Sequence, residues 1–253
     1  MTDFDALMPE DEEDDVLLMP EDKEEPYEEE DALLPGDGKS TVVGMVLDRS
    51  GSMLTMWDEA VGAYNGQIEE FRNQLSTDDE ILMVGTVFDT VVDVVLKGVP
   101  VQDAEDLPKH VQPRGLTALY DAIGFTINEM QDTKVENDDK AYLLVVITDG
   151  LDNASKIVTQ KKLASMLKEL EDSGEWTVVF IGSDREALAD AAALGFGANT
   201  HALDPNAEGM DAVAMSLRST TNAYYAGRQG GVKSCSSFTQ TMAKEEEKAQ
   251  AAD

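Results

Sequence analysis

From residue 41 onward, short apolar runs alternate with segments in which apolar residues recur every three or four positions. The runs at 41–47 and 142–148 are apolar on both faces, which is typical of strands in the centre of a parallel sheet. Helical spacing is clearest in an apolar stripe between them: Trp57, Val61, Tyr64, Ile68, Phe71 and Leu75. This alternation predicts an α/β domain with a mainly parallel sheet.

Two further apolar runs, 81–88 and 91–96, are separated only by Asp89-Thr90. This spacing indicates a hairpin and therefore one antiparallel edge strand. We expect a Rossmann-like, doubly wound sheet of six strands with helices on both faces. The remaining predicted strands are 176–182 and 200–203, and the remaining predicted helices are 118–130, 161–170, 185–194 and 207–225.

The first 38 residues differ from the rest, with 17 acids and one Lys by count. We expect this acidic leader to be disordered in isolation, because it has too little apolar surface to offset the entropy of ordering. A pattern of the type Leu-x-Pro-x-Asp recurs in it three times, at 7–11, 18–22 and 33–37. The repeats are either docking motifs or part of a solubilising acidic tail.

The whole chain of 253 residues has a formal net charge of -33, which argues against binding nucleic acid through a basic face. We expect the globular domain to span 39–228, followed by a flexible tail at 229–253 in which Gly, Ser and Thr are frequent. The single Cys235 excludes an intramolecular disulfide. With no long apolar stretch and no basic segment before one, we expect a soluble, cytoplasmic protein that does not bind membranes.

Oxygen-bearing side chains follow both central strands at their carboxyl ends. The first strand runs into Asp48, Ser50 and Ser52, and the second into Asp149. Loops at the carboxyl ends of neighbouring strands meet at one crevice, and Thr117 adds a hydroxyl from the predicted start of a helix. Two carboxylates and three hydroxyls without nitrogen or sulfur ligands favour Mg²⁺ or Mn²⁺.

Each of these residues also has an ordinary structural use. Ser50 and Ser52 could cap the following helix, and Asp149 could cap a turn. Any one of these residues alone is explained by such a cap. Arg49 stands between two of the proposed ligands, and the sequence assigns it no role.

The series Asp48-x-Ser50-x-Ser52, then Thr117, then Asp149, resembles the metal-ion-dependent adhesion site (MIDAS) of von Willebrand factor type A (vWA) domains. The resemblance covers roughly residues 41–226. It implies that Ser50 and Ser52 bind the metal directly, and that the other three bind it directly or through water. An acidic side chain of a protein partner takes the open position. Intracellular members resemble accessory subunits, so the resemblance suggests an AAA+ ATPase or a phage–host complex as partner.

The leading hypothesis is therefore a non-enzymatic, metal-dependent protein-interaction module of the intracellular bacterial or phage type. One alternative is a Mg²⁺-dependent hydrolase or phosphotransferase with Asp48 as nucleophile. Another is an acidic decoy that acts through the leader. We also expect that a leader carboxylate, held close by its tether, could occupy the metal in cis and inhibit the domain.

Overall fold

The computed structural model describes residues 38–182, 185–196 and 199–238. The predicted leader up to residue 37, with its three repeats, lies outside the described residues, as does the predicted tail beyond residue 238. The statements below therefore concern the globular part of the chain and the first residues that follow it.

The described residues form a six-stranded sheet in the order β3-β2-β1-β4-β5-β6. β3 is antiparallel to β2 at one edge, and the other neighbouring pairs are parallel. The strands are β1 (Lys39–Asp48), β2 (Glu80–Phe88), β3 (Val92–Pro100), β4 (Asp139–Thr148), β5 (Trp176–Gly182) and β6 (Thr200–Ala202). The predicted fold class, including the single antiparallel edge strand, is confirmed.

Five α-helices cover the two faces of this sheet. α1 and α5 pack on one face, whereas α2, α3 and α4 pack on the other. Their bounds are α1 (Trp57–Gln74), α2 (Leu119–Asp132), α3 (Gln160–Ser173), α4 (Arg185–Leu194) and α5 (Ala207–Gln229). A 3₁₀-helix, Gly51–Met56, comes directly before α1.

The central strands are buried on both faces because each contributes to two cores. In β1, Val43 and Met45 face α1 and α5, while Val42 and Val46 face α2 and α3. All four side chains are at most 1% exposed. Full burial of an apolar side chain of this size stabilises a fold by roughly 1.5–3 kcal/mol. The ends of β1 and β4 are therefore rigidly placed relative to each other.

Several elements extend beyond the predicted bounds. β3 continues to Pro100, and its Val99 pairs with Met83 across a register shift that the sequence pattern did not indicate. α5 continues to Gln229. In both cases the added residues, 97–100 and 226–229, do not form a periodic apolar pattern, so hydrophobic periodicity gives no signal for them.

Residues 230–238 fall within the predicted tail, and in the structure they pack against the sheet. Phe238 is completely buried, and its backbone N–H donates to Asn199 Oδ1 at 3.0 Å. The backbone N–H of Cys235 donates to Thr177 Oγ1 at 2.8 Å, and its carbonyl accepts Asn199 Nδ2 at 2.8 Å. Phe238 joins the core on this face, where its ring lies 6.1 Å from that of Tyr224 on α5, whereas most of the residues before it are exposed.

Candidate metal centre

Three loops meet at the carboxyl edge of the sheet. The first follows β1, the second precedes α2, and the third follows β4. The backbone N–H of Gly51 donates to the carbonyl of Gly115 at 3.4 Å, which joins the first two loops. The N–H of Asn153 donates to the carbonyl of Thr117 at 2.9 Å, which joins the second and third. The predicted convergence of these segments is therefore present.

Asp48 is held in one orientation at the end of β1. Its Oδ1 accepts the backbone N–H of Ser50 at 2.6 Å, and its Oδ2 accepts Thr148 Oγ1 at 2.6 Å. The side chain is completely buried. Burial raises the pKa of Asp48 to about 6, against the opposing effect of these hydrogen bonds. A nearby cation would offset the cost of burying this charge.

Ser50, Ser52 and Asp149 follow one another across the edge of the sheet. The two serine Oγ atoms are 3.2 Å apart, and Ser52 Oγ donates to Asp149 Oδ1 at 2.7 Å. Adjacent ligands of an octahedral Mg²⁺ with bonds of about 2.1 Å lie about 3 Å apart. The observed separations bracket that value, so these oxygens fit neighbouring positions of one coordination shell.

Thr117 completes the predicted set from the loop before α2. Its side chain is 4% exposed, and its Oγ1 lies 3.9 Å from the position that a Cβ atom on Gly150 would take. Its backbone N–H donates to Asn153 Oδ1 at 2.8 Å. Thr117 is therefore fixed next to the loop that contains Asp149. A larger residue than Gly150 would stand close to this hydroxyl.

The chemistry of this donor set fits a hard divalent cation. Within the described ranges, no group of three or more His, Cys, Asp or Glu side chains is placed to hold a metal. The candidate site instead combines the carboxylates of Asp48 and Asp149 with hydroxyl oxygens. Two carboxylates nearly neutralise a divalent ion, and hydroxyl donors leave it able to attract a further anion.

Arg49, to which the sequence assigned no role, is buried and bonded to acids behind the site. Its Nε donates to Asp89 Oδ2 at 3.0 Å, and one terminal nitrogen bonds to Asp93. Arg114 Nε also donates to Asp89 Oδ2, at 2.8 Å. Burial opposes ionisation of Asp89, but hydrogen bonds and the two guanidinium charges hold its pKa below the ordinary value.

Asp89 thus connects the turn between β2 and β3 to both the first and the second loop. Its carbonyl accepts the N–H of Ala118 at 2.8 Å, and its Oδ1 accepts the N–H of Val91 at 2.8 Å. The sequence analysis assigned Asp89 only to a hairpin turn. No local signal could have identified it, because its two arginine partners lie 40 and 25 positions away in the chain.

A second buried acid fixes the third loop against α2. Asp121 accepts backbone N–H groups from Lys156 at 2.8 Å, Ile157 at 3.0 Å and Val158 at 2.6 Å. Asp152 Oδ1 accepts the N–H of Tyr120 at 3.2 Å. The sequence analysis did not identify Asp121, since it lies inside a predicted helix. Through these bonds the first turn of α2 and the third loop hold each other in place.

No helix in the described part of the chain combines the length and apolar character needed to cross a membrane. The candidate site lies where the neighbouring parallel strands β1 and β4 end, which is the edge at which open α/β sheets bind their ligands.

No family model matches the chain, and no curated protein matches it. Solved structures do match its fold. The PilB minor pilin from Streptococcus sanguinis shares 13% identity over 75% of this chain and 62% of its own, with a TM-score of 0.52. The SpRpn10 VWA domain shares 12% identity over 70% of this chain and 94% of its own, with a TM-score of 0.50.

A von Willebrand factor type A protein from Catenulispora acidiphila shares 16% identity, with a TM-score of 0.50. That match covers 72% of this chain but 43% of the other. This chain thus spans less than two thirds of the length of the pilin and of the Catenulispora protein. At these identities the likeness concerns the fold alone. The chain has the α/β fold of von Willebrand factor type A domains.

Proposed function

We propose that this chain is a divalent-metal-dependent protein-interaction module that binds an Asp or Glu side chain of a partner through a MIDAS-like site. The observation that carries the proposal is the hydrogen-bonded series formed by Asp48, Ser50, Ser52 and Asp149. Asp48 accepts the backbone N–H of Ser50, the Ser50 and Ser52 hydroxyls are in contact, and Ser52 donates to Asp149, with Thr117 next to the third loop. Mg²⁺ is the ion that we propose, with Mn²⁺ as a close substitute.

A carboxylate is the expected partner group because of the charge balance at the site. Asp48 and Asp149 together supply two negative charges, which leaves a bound divalent ion near neutral. The hydroxyls of Ser50, Ser52 and Thr117 add oxygen ligands without adding charge. An incoming Asp or Glu therefore gains a strong electrostatic contact and does not face a strongly anionic site.

The surroundings of Arg49 favour this function over the phosphotransferase alternative. Phosphoryl transfer requires cationic groups aimed at the phosphate. Arg49 is the cation closest in sequence to Asp48, and it is bonded to Asp89 and Asp93 behind the site. The charge of Arg49 is thus paired with these two acids, and the ion pairs stabilise the loops. By resemblance to intracellular vWA proteins, we propose a cytoplasmic partner such as an AAA+ ATPase or a component of a phage–host complex.

The test measures metal binding and partner capture with the same variants. Isothermal titration with Mg²⁺ and Mn²⁺ is expected to detect one site in the wild type and none in Asp149→Ala or the Ser50→Ala, Ser52→Ala double variant. Capture of a partner from a host extract is expected to require Mg²⁺ and to disappear with EDTA. Asp78→Ala removes an exposed acid outside the site and serves as the matched control. Capture that persists with EDTA and in Asp149→Ala contradicts the proposal.

A further inference from the structure

Each of the three loops that supply a donor to the candidate metal centre also carries one exposed large apolar side chain. Leu54 follows Ser52 and is 67% exposed. Leu116 precedes Thr117 and is 54% exposed, and Ile157 in the third loop is 61% exposed. Large apolar side chains that cluster on a surface mark interaction sites, because leaving them in water has a free-energy cost.

A fourth such side chain belongs to the same edge. Val91 is 54% exposed and lies next to Thr90, whose Oγ1 accepts the backbone N–H of Leu116 at 3.0 Å. We call Leu54, Val91, Leu116 and Ile157 the apolar rim. Eight large apolar side chains are exposed among the described residues, and half of them belong to this rim. Their concentration beside the oxygen donors distinguishes this edge from the remaining surface.

The loops of the rim are firmly held, so its side chains are presented in a fixed arrangement. The carbonyl of Arg49 accepts the N–H of Arg114 at 2.8 Å, which ties the second loop to the first. Asp121 accepts the N–H of Ile157 at 3.0 Å and those of both its neighbours. A pre-organised apolar surface loses little conformational entropy when a partner binds.

Two cations lie beside rim residues in a chain whose formal net charge is -33. Arg114, two positions before Leu116, is 67% exposed at the side chain and is paired with Asp89. Lys156, next to Ile157, is exposed in the third loop. Together with a bound divalent cation, the Lys156 charge favours the approach of an acidic segment to this edge.

We propose that the apolar rim selects a partner segment in which the metal-bound Asp or Glu is flanked by bulky apolar side chains. This inference rests on the proposed function, because it assigns the partner's carboxylate to the metal. The flanking side chains cover Leu54 in the 3₁₀-helix after β1, Leu116 in the second loop and Val91 in the turn between β2 and β3. Their burial excludes water from the ionic contact, which strengthens that contact.

The size of the effect follows from the area available. The rim side chains are 54–67% exposed, so a partner that covers them removes roughly half of each side chain's surface from water. Each flanking apolar residue of the partner is therefore expected to increase affinity by about tenfold. Removal of the rim side chains is expected to remove this gain while the affinity for Mg²⁺ stays unchanged.

The test uses three labelled synthetic peptides with the full chain in the presence of Mg²⁺. Their central sequences are Leu-Asp-Leu, Ser-Asp-Ser and Leu-Asn-Leu, each between Gly-Ser ends. Fluorescence polarisation measures binding to the wild type, to the Leu54→Ser, Leu116→Ser double variant and to Met215→Ser. Met215 is 64% exposed on α5 and is the matched control. Because every substituted side chain is exposed, the variants are expected to fold, and circular dichroism checks this.

The expected result is that the Leu-Asp-Leu peptide binds the wild type and Met215→Ser at least tenfold more tightly than Ser-Asp-Ser, but not the double variant. Equal Mg²⁺-dependent binding of Leu-Asp-Leu and Ser-Asp-Ser overturns the rim inference and leaves the proposed function standing. Binding of Leu-Asn-Leu that equals Leu-Asp-Leu and survives EDTA contradicts the proposed function. A wild type that binds Mg²⁺ but none of the peptides also overturns the inference.

Discussion

Asp89→Asn is the substitution that tests most directly how the candidate metal centre is held together. Asp89 is 3% exposed at the side chain and accepts bonds from both Arg49 and Arg114. Asparagine keeps the size and the hydrogen-bonding capacity toward Val91 but removes the negative charge. The substitution therefore isolates the electrostatic role of this residue from its packing.

The magnitude follows from the burial of the partners. Arg49 is 6% exposed at the side chain, so the loss of Asp89 leaves a buried guanidinium with one charged partner, Asp93, which is 48% exposed. Breaking a buried ion pair by removing one partner costs about 3–5 kcal/mol. Because Asp93 remains, we expect the lower end, about 3 kcal/mol of unfolding free energy. Arg114 is 67% exposed and adds little.

Urea denaturation of the full chain, followed by tryptophan fluorescence, measures this loss. With a slope of about 2 kcal/mol per molar urea, the midpoint of Asp89→Asn is expected to fall by about 1.5 M. Asp93→Asn is the matched control, because it removes a half-exposed acid from the same Arg49. Its expected cost is at most about 1 kcal/mol. Mg²⁺ affinity is expected to fall by about 10–100-fold in Asp89→Asn, because Asp89 binds Arg49, which stands between the candidate ligands Asp48 and Ser50, and groups that orient metal ligands contribute this much.

Two results would refute this reasoning. Equal urea midpoints for Asp89→Asn and Asp93→Asn would mean that the buried ion pair of Asp89 stabilises the fold no more than the half-exposed pair of Asp93. A stable Asp89→Asn protein with unchanged Mg²⁺ affinity would mean that the arginine contacts do not position the loops around the donors.

Three other predictions follow from single contacts. Gly115 has a φ of +70°, and a Cβ atom there would lie 2.8 Å from Thr90 Oγ1. Gly115→Ala is therefore expected to lower the free energy of unfolding, measured by urea denaturation, by about 1 kcal/mol. It is also expected to weaken Mg²⁺ binding, measured by calorimetry. Gly174→Ala, also at +70° but in open space, is expected to cost as much stability without affecting the metal. Burial alone raises the pKa of Asp79, but hydrogen bonds outweigh it and lower that pKa. Asp79→Asn is thus expected to be less stable at pH 7, with the difference from the wild type shrinking in denaturation curves below about pH 4. Arg228 is fully buried, and its terminal nitrogen lies 3.1 Å from Asp139 Oδ1. Arg228→Ala is expected to lower the thermal midpoint and to reduce the free energy of unfolding by about 3–5 kcal/mol. A reduction below about 1 kcal/mol would contradict a stabilising role for this buried arginine.

Much of the fold could be predicted because its central strands have an unambiguous pattern. The runs 41–47 and 142–148 contain almost no polar residues, and only a strand buried on both faces explains that composition. The hairpin was predictable from the two-residue spacing at Asp89-Thr90. The ends of β3 and α5 were not, because residues 97–100 and 226–229 form no periodic pattern.

The candidate donors could be predicted from the sequence, because loops at the carboxyl ends of neighbouring parallel strands meet at the same edge of the sheet. Asp48 and Asp149 end parallel strands, and β1 and β4 are neighbours in the sheet. Their supports were not predictable, since each one depends on a contact between distant parts of the chain. Thr148 Oγ1 reaches Asp48 across 100 positions, and the backbone N–H of Ile157 reaches Asp121 across 36.

The candidate donors come from parts of the domain that differ in the free energy needed for local unfolding. Asp48 and Asp149 extend from strands that are enclosed on every side, whereas the segment holding Thr117 is anchored to the turn between β2 and the partly exposed edge strand β3. Transient fraying of an edge strand requires less free energy than opening the middle of a sheet. A cation bound by both groups of ligands would therefore link the outer hairpin to the centre of the sheet and raise the free energy needed to open that hairpin. When the hairpin opens, the hydrogen bonds between Thr117 and Asn153 would still hold Thr117 beside the other ligands.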